Sequence, residues 1–177
     1  MQKDNFYIIT GGPGGGKTTL LDFLASNGYP YVGDTAREII RHRLSLGLPP
    51  RPDPATFASE MFYRDFENYI SNSNSQRIIF FDRSFFDSAW LLNHFDPQTF
   101  HQIEKTHLIH RYNTKVFVTP PWQEIYKTDS ERDQTFDQAV EVHDKVCNWY
   151  AEHKYELIVI PKDKVESRAK FLIDQIK

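Results

Sequence analysis

Short apolar runs alternate with longer amphipathic stretches along this chain of 177 residues. The apolar runs, rich in β-branched and aromatic residues, predict five strands at residues 5–10, 29–32, 77–81, 115–118 and 156–160. Because each run is apolar almost throughout, all five strands are expected to be buried. Apolar strands separated by helices are typical of an α/β fold with a parallel sheet covered by helices on both faces.

Helices are predicted between these strands. Within residues 135–153, and again within 165–176, apolar side chains recur every three or four positions, which is the period of a helix with one buried face. In an open parallel sheet, ligands bind at the carboxyl ends of the strands, where the loops lead into helices. Candidate functional residues are therefore sought in those loops.

The loop after the first strand has the sequence GGPGGGKTT, which contains the P-loop spacing G-x-x-x-x-G-K-[ST]. Glycines let successive backbone N–H groups turn toward a phosphate at the start of the following helix. Lys17 is expected to reach the β and γ phosphates, and Thr18 to ligate Mg²⁺. The predicted ligand is ATP or GTP with Mg²⁺. The predicted nucleotide-binding residues are Gly11, Gly12, Pro13, Gly14, Gly15, Gly16, Lys17, Thr18 and Thr19.

The third predicted strand leads into a second charged centre. Asp82 lies at its end and is expected to hold Mg²⁺, directly or through water. Arg83 follows where many ATPases have a second carboxylate, which disfavours water activation and favours contact with an acceptor or with the phosphoryl group in transfer. Ser84 and Asp87 also fit a helix-capping box, so a purely structural role for them stays open.

The loop after the second strand carries the acceptor candidates. Asp34 can accept the proton of a substrate hydroxyl, or it can simply cap the next helix. Thr35 and Glu38 fit a capping box there. Whether Asp34 or Asp82 is the base stays open. The predicted catalytic residues are Lys17, Asp34, Asp82, Arg83 and Arg132, and the predicted acceptor-binding residues are Asp34, Arg37, Arg83, Asp87 and Trp90.

An aromatic stripe at helical spacing runs through residues 54–70 and is typical of a core-facing helix. Alternatively, part of it joins Trp90 to wall a pocket for a flat substrate. Tyr63 and Arg64 are weaker candidates for that pocket. The members of the aromatic stripe are Phe57, Met61, Phe62, Phe66 and Tyr69.

Residues 119–135 form a long, proline-containing and charged segment between the fourth strand and the next helix. Such a segment predicts a lid that brings Lys127 or Arg132 over the γ-phosphate. The alternative is a solvated surface loop.

The composition of the chain limits its expected partners, its expected location and its domain organisation. The 21 Lys and Arg against 24 Asp and Glu leave a net charge of -3, so no nucleic-acid or membrane partner is expected. The single Cys147 excludes an intrachain disulfide and a cysteine-based zinc site, which favours a reducing cytoplasm. Neither a signal-peptide core nor a membrane-spanning run is recognised. One domain over residues 1–177 is expected, and its oligomeric state stays open.

The segments GGPGGGKTT, GDTARE, FFDRSFFDSAW and PPWQEIYKTDSERDQTF together resemble the small P-loop AAA-domain family that includes the ribosylnicotinamide-kinase-like ATPases. The likeness spans nearly the whole chain. The DRS sequence, residues 82–84, is similar to the acid-Arg-Ser signature of deoxynucleoside kinases and to the DR pair of thymidylate kinases. The resemblance implies strand order 2-3-1-4-5, Asp82 in magnesium or base chemistry, Arg83 touching the acceptor and Arg132 as the lid arginine.

These observations favour a Mg²⁺- and ATP-dependent kinase that acts on a small hydroxyl-bearing, nucleoside-like metabolite. The alternative is an NTP-binding regulatory module, or slow NTPase, whose partner reads the bound state. A GTPase switch is disfavoured because Asp82 does not begin a D-x-x-G sequence and no N-K-x-D sequence occurs.

Overall fold

The computed structural model describes residues 2–128 and 134–176. The strands are Phe6–Gly11 (β1), Tyr31–Val32 (β2), Ile79–Asp82 (β3), Lys115–Thr119 (β4) and Glu156–Val159 (β5). The helices are Lys17–Ser26 (α1), Thr35–Ser45 (α2), Pro54–Ser71 (α3), Phe85–Phe95 (α4), Pro97–Ile109 (α5), Phe136–Glu152 (α6) and Val165–Ile176 (α7), with a short 3-10 helix at Gln123–Ile125.

The five strands form one parallel sheet in the order β2-β3-β1-β4-β5, which confirms the expected order. Each predicted strand overlaps an observed one. The expectation that all five are buried is wrong, because β2 and β5 are the edge strands. Each edge strand has a single neighbour and is less covered by helices, and Val159 in β5 is 58% exposed. The three central strands β1, β3 and β4 are buried almost throughout.

Alternate side chains of the central strands enter two separate apolar layers, because successive residues of a strand point to opposite faces. Phe6 and Ile8 pack on the face covered mainly by α3, α4 and α6. Tyr7 and Ile9 pack on the opposite face, against α1 and α7. The sheet therefore holds the end of β1, and the loop that follows it, between two well-filled layers.

Most of the aromatic stripe of α3 is core, as expected. Phe62 and Tyr69 are buried, and Tyr69 makes edge contacts with Phe6, Phe85 and Tyr112 at ring-centroid distances of 5.0 to 5.4 Å. Edge-to-face packing of this kind favours one arrangement of the rings over others. The core therefore fixes α3 and α4 firmly beneath the loops that follow β2 and β3.

The helix starts follow local capping rules. Ser84 and Asp87 form the capping box predicted for α4. The box predicted for Thr35 and Glu38 is wrong: Asp34 is the N-cap of α2, and Thr35 is the first helical residue. Within residues 2–128 and 134–176, no helix is both long and apolar enough to span a bilayer.

Candidate active site

The loop between β1 and α1 is wound tightly and depends on glycine. Gly11 has φ +124°, and a Cβ atom there would lie 2.4 Å from the carbonyl oxygen of Thr119. Gly16, the N-cap of α1, has φ +72° in the left-handed region. A side chain at Gly11 would require both a strained backbone and movement of β4. The loop is thus a cradle of backbone groups at the start of a helix, which is a site suited to anions.

Lys17 is buried inside this loop. Its Nζ donates to the carbonyl of Gly12 at 3.0 Å and, more weakly, to that of Gly11 at 3.4 Å. Burial and the nearby Arg83 guanidinium lower the pKa of Lys17, while Asp82 partly opposes that shift. An ammonium with three donors and two neutral carbonyl partners is well placed to gain an anionic partner.

Asp82 and Thr18 offer oxygen atoms of the kind that Mg²⁺ prefers. The carboxylate of Asp82 is buried, and among the described residues its Oδ1 has no hydrogen-bond partner. Burial, followed by the negative charge of Asp34, raises the pKa of Asp82. A buried, unpartnered carboxylate oxygen is unfavourable until a cation or donor reaches it. Thr18 is exposed on the same cavity, and hydroxyl and carboxylate oxygens are ligands that Mg²⁺ prefers.

Arg83 is held in a strained position. Its φ of 68° lies in the left-handed region, which costs a non-glycine residue about 1–2 kcal/mol. Its backbone N–H donates to the carbonyl of Ile9 at 3.0 Å, which extends the pairing of β3 with β1. Its guanidinium lies 3.5 Å from Asp87 and 4.0 Å from Asp34. These contacts fix the arginine between two carboxylates at the edge of the sheet.

Asp87 is fully engaged by its own neighbours. Its Oδ1 accepts from the Thr10 hydroxyl at 2.5 Å, and its Oδ2 accepts from the Tyr150 hydroxyl at 2.6 Å and from the Ser84 N–H at 3.0 Å. Both oxygens of this carboxylate are therefore occupied by donors of the protein itself. Asp87 lines the predicted acceptor pocket, and its main effect there is to hold Arg83.

Asp34 is more accessible than Asp87. It caps α2 by accepting from the N–H of Arg37 at 3.3 Å, and its side chain is 17% exposed. The capping role that the sequence left as an alternative is therefore confirmed. The role of proton acceptor stays a prediction, and the partly exposed, lightly bonded carboxylate is compatible with it.

Two cavities meet at this edge of the sheet. The first, about 640 Å³, lies over the phosphate loop and includes Gly14, Lys17 and Asp82 in its lining. The second, about 170 Å³, is bounded by Pro13 and Arg83 at one end. Asp34 and Arg37 line both cavities. A group bound in one cavity would therefore lie next to a group bound in the other.

The second cavity also has apolar and aromatic lining residues. Phe57, Met61 and Trp90 line it, so part of the α3 stripe does wall a pocket together with Trp90. Tyr63 is 52% exposed and lines neither cavity, and Arg64 pairs instead with Glu60 on the same helix. Those two weaker candidates are therefore wrong.

The predicted lid is only partly described. Lys127 lines the cavity over the phosphate loop, beside Glu124 and Ile125 of the 3-10 helix. Arg132 lies outside the described residues, so its predicted role over the γ-phosphate stays a prediction.

Arg168 is a residue of the site that sequence reasoning missed. It is buried on α7 and donates to the carbonyls of Gly15 at 2.9 Å and Gly16 at 3.3 Å. Its guanidinium also lies 5.6 Å from the ring centre of Trp122. A signal was present, since Arg168 falls on the apolar face of its helix, where a charged residue needs a specific partner.

A parallel sheet in this order, with a glycine loop joining β1 to α1, defines a P-loop domain of the nucleotide-kinase type. The sequence profile of an AAA domain family, AAA_28, matches residues 6–168, and the chain belongs to that family. No curated protein sequence matches the chain significantly.

Solved structures share this fold. A NadR protein in complex with NR is similar at a TM-score of 0.72 and 18% identity, over 97% of this chain and 50% of the NadR chain. Another NadR structure, with NAD and AMP-PNP, has a TM-score of 0.70 and 20% identity, over 97% and 48%. This chain therefore spans about half the length of those NadR chains.

Deoxyadenosine kinase from M. mycoides with bound dATP is similar over nearly its whole length. Its TM-score is 0.67 at 12% identity, and the match covers 97% of this chain and 98% of the kinase. At these identities the likeness concerns the fold.

Proposed function

We propose that this protein is an ATP- and Mg²⁺-dependent phosphotransferase that moves the γ-phosphate to a hydroxyl group of a small, nucleoside-like metabolite. The observation that carries the proposal is the junction of the two cavities, where Asp34 and Arg37 belong to both linings. Phosphoryl transfer depends mainly on positioning and electrostatic stabilisation, so two adjoining sites with charged residues at their border suit it.

The nucleotide side uses the glycine loop and Lys17 to bind the polyphosphate. Thr18 and Asp82 would hold Mg²⁺, which, when bound, neutralises charge on the β and γ phosphate oxygens. Arg168 lines the same cavity and supports the loop by donating hydrogen bonds to the carbonyls of Gly15 and Gly16. Lys17 then exchanges weak carbonyl partners for charged phosphate oxygens, an exchange favoured by its burial.

The acceptor side uses Asp34 and Arg83. The acceptor hydroxyl oxygen attacks the γ-phosphorus, its proton passes to Asp34, and the bond to the bridging oxygen of ADP breaks. Asp34 is assigned as the base because it borders both cavities, whereas Asp82 borders only the one over the phosphate loop. Arg83 contacts the acceptor or the transferred group. Phe57 and Trp90 offer flat surfaces for a ring, which supports a nucleoside-like acceptor.

The experiment is a screen for ADP release with ATP and MgCl₂ against purine, pyrimidine and pyridine nucleosides, with GTP run in parallel. We expect ADP release only with one class of nucleoside. We also expect a mass spectrum to show the phosphorylated form of that nucleoside. Turnover at one rate across the whole panel would instead support a slow NTPase or an NTP-binding module.

A further inference from the structure

Asp65 is a buried carboxylate in the helical layer behind the acceptor cavity. It lies on α3 and borders neither of the two cavities described above. Its Oδ1 accepts a hydrogen bond from the Thr35 hydroxyl, and its Oδ2 accepts one from the Ser88 hydroxyl. All three side chains are buried. One carboxylate therefore joins the first turn of α2 to the first turn of α4.

Both joined residues are adjacent in sequence to residues at the acceptor cavity. Thr35 directly follows Asp34, and Ser88 directly follows Asp87. Asp87 in turn lies 3.5 Å from Arg83, whose Nε is 4.0 Å from Asp34. These contacts, together with the two pairs of chain neighbours, form a closed circuit that begins and ends at Asp65. The circuit passes through three charged side chains at the acceptor cavity, Asp34, Arg83 and Asp87.

Stability alone is a weak reason for an acid at this position. Removing a carboxylate from water is costly, and replacement of buried charged groups by well-packed apolar ones is often neutral or stabilising. A leucine on α3 would add to the apolar layer formed by Phe62, Ala89 and their neighbours. The directional bonds of the carboxylate supply something that apolar packing does not, namely a fixed spacing between two helix ends.

We propose that Asp65 is a positioning residue that holds Asp34 and Arg83 at one separation around the acceptor by bonding Thr35 and Ser88. The expected effect on acceptor kinetics rests on the proposed phosphotransfer. The expected effect on the separation of Asp34 and Arg83 does not. Because Asp65 does not support the phosphate loop, its loss affects the acceptor side and leaves nucleotide binding intact.

The kinetic test compares Asp65→Leu, which removes both bonds, with Asp65→Asn, which can still accept from Thr35 and donate to Ser88. With the best nucleoside from the screen, kcat/KM for the acceptor is expected to fall about 100-fold in Asp65→Leu and less in Asp65→Asn. The Kd for ATP is expected to stay within about twofold of wild type. An unchanged kcat/KM, or a matching loss of ATP affinity, would overturn the proposal.

A control bond of the same chemical type, exposed rather than buried, is available elsewhere in the fold. The Tyr31 hydroxyl donates to Asp22 at 2.6 Å, which is also a hydroxyl-to-carboxylate bond between two elements, outside both cavities. Tyr31→Phe removes that bond and is expected to leave acceptor kcat/KM unchanged. An equal loss in Tyr31→Phe would show that any such bond matters and would contradict a specific role for Asp65.

A structural test needs no activity. In crystals of Asp65→Leu, or of Asp65→Ala should that variant not fold, the Asp34 to Arg83 separation is expected to change while residues 11–16 superimpose on wild type. An unchanged separation would overturn the positioning role. If the separation changes but no nucleoside stimulates ADP release by wild type, the positioning role stands and the proposed function fails.

Discussion

The two halves of the candidate site are built in different ways. The phosphate side is built mainly from one continuous segment, residues 11–19, in which backbone torsions and close approaches require glycine, and Asp82 and Arg168 are added from β3 and α7. The acceptor side is assembled from the loops after β2 and β3 and from side chains of α3 and α4. The first half depends on local sequence, whereas the second depends on packing between elements distant in sequence. A substitution in one half is therefore expected to impair the function of that half, acceptor phosphorylation or nucleotide binding, and to leave the other unchanged.

The largest expected effect is on the acceptor side. Asp34→Asn removes the proposed proton acceptor, so kcat for phosphotransfer is expected to fall about 10²- to 10⁴-fold while the Kd for ATP stays the same. Steady-state kinetics and calorimetry on the same preparation measure both quantities. Asp174→Asn, on the exposed Lys170 to Asp174 pair, is the control. If Asp34→Asn also lowered the affinity for ATP, the acceptor side and the phosphate side would not act independently.

The converse change is on the phosphate side. Lys17→Ala removes the buried ammonium that lies inside the loop, and charge-assisted hydrogen bonds of this kind correspond to about a 10- to 100-fold change in affinity. ATP binding by calorimetry is expected to weaken by at least that factor. Lys170→Ala serves as the surface control. Wild-type ATP affinity in Lys17→Ala would be incompatible with the assignment of the loop.

A pair of glycines tests how strongly the phosphate loop is constrained. Gly11 and Gly28 both have positive φ, but a Cβ atom meets the Thr119 backbone at Gly11 and open space at Gly28. Gly28→Ala is expected to lower the free energy of unfolding by about 1 kcal/mol, through backbone strain alone. Gly11→Ala is expected to lower it by about 1–3 kcal/mol more, because β4 must shift. If urea titrations show the same loss of unfolding free energy in both variants, the close approach of residue 11 to Thr119 does not add to the cost of the substitution.

The last comparison concerns pH. Burial raises the pKa of Asp65 from its ordinary 3.8 to about 7, with Asp87 and Asp34 adding to the rise and the Ser88 and Thr35 hydroxyls opposing it. The folded state then holds its proton more tightly than the unfolded state, so this carboxyl contributes less stability as pH rises from 3.8 toward about 7.

Asp65→Asn does not titrate at this position, so its stability relative to wild type is expected to rise with pH over that window and level off above it. Urea unfolding of both proteins at a series of pH values measures the difference. A constant difference across the window would show that Asp65 is ionised throughout.

The phosphate loop and the five strands were predictable because the glycine spacing and the apolar runs are local signals, whereas the strand order was implied only by the family resemblance. Asp34, Arg83 and Trp90 were found as candidates, but nothing in the sequence shows that they border one cavity. Arg168 was missed because its partners, the carbonyls of Gly15 and Gly16, are brought to it only by the packing of α7 against α1. The link from Asp65 to Thr35 and Ser88 likewise depends on the packing of three helices.

The most direct test of transfer between the two cavities is a single turnover with ATP labelled with ¹⁸O in the γ-phosphate, analysed by mass spectrometry. With enzyme in excess over ATP and a nucleoside acceptor present, the labelled phosphoryl group is expected on the nucleoside, with three labelled non-bridging oxygens and the acceptor's own unlabelled bridging oxygen. Label found only in inorganic phosphate, whichever nucleoside is supplied, would contradict the account.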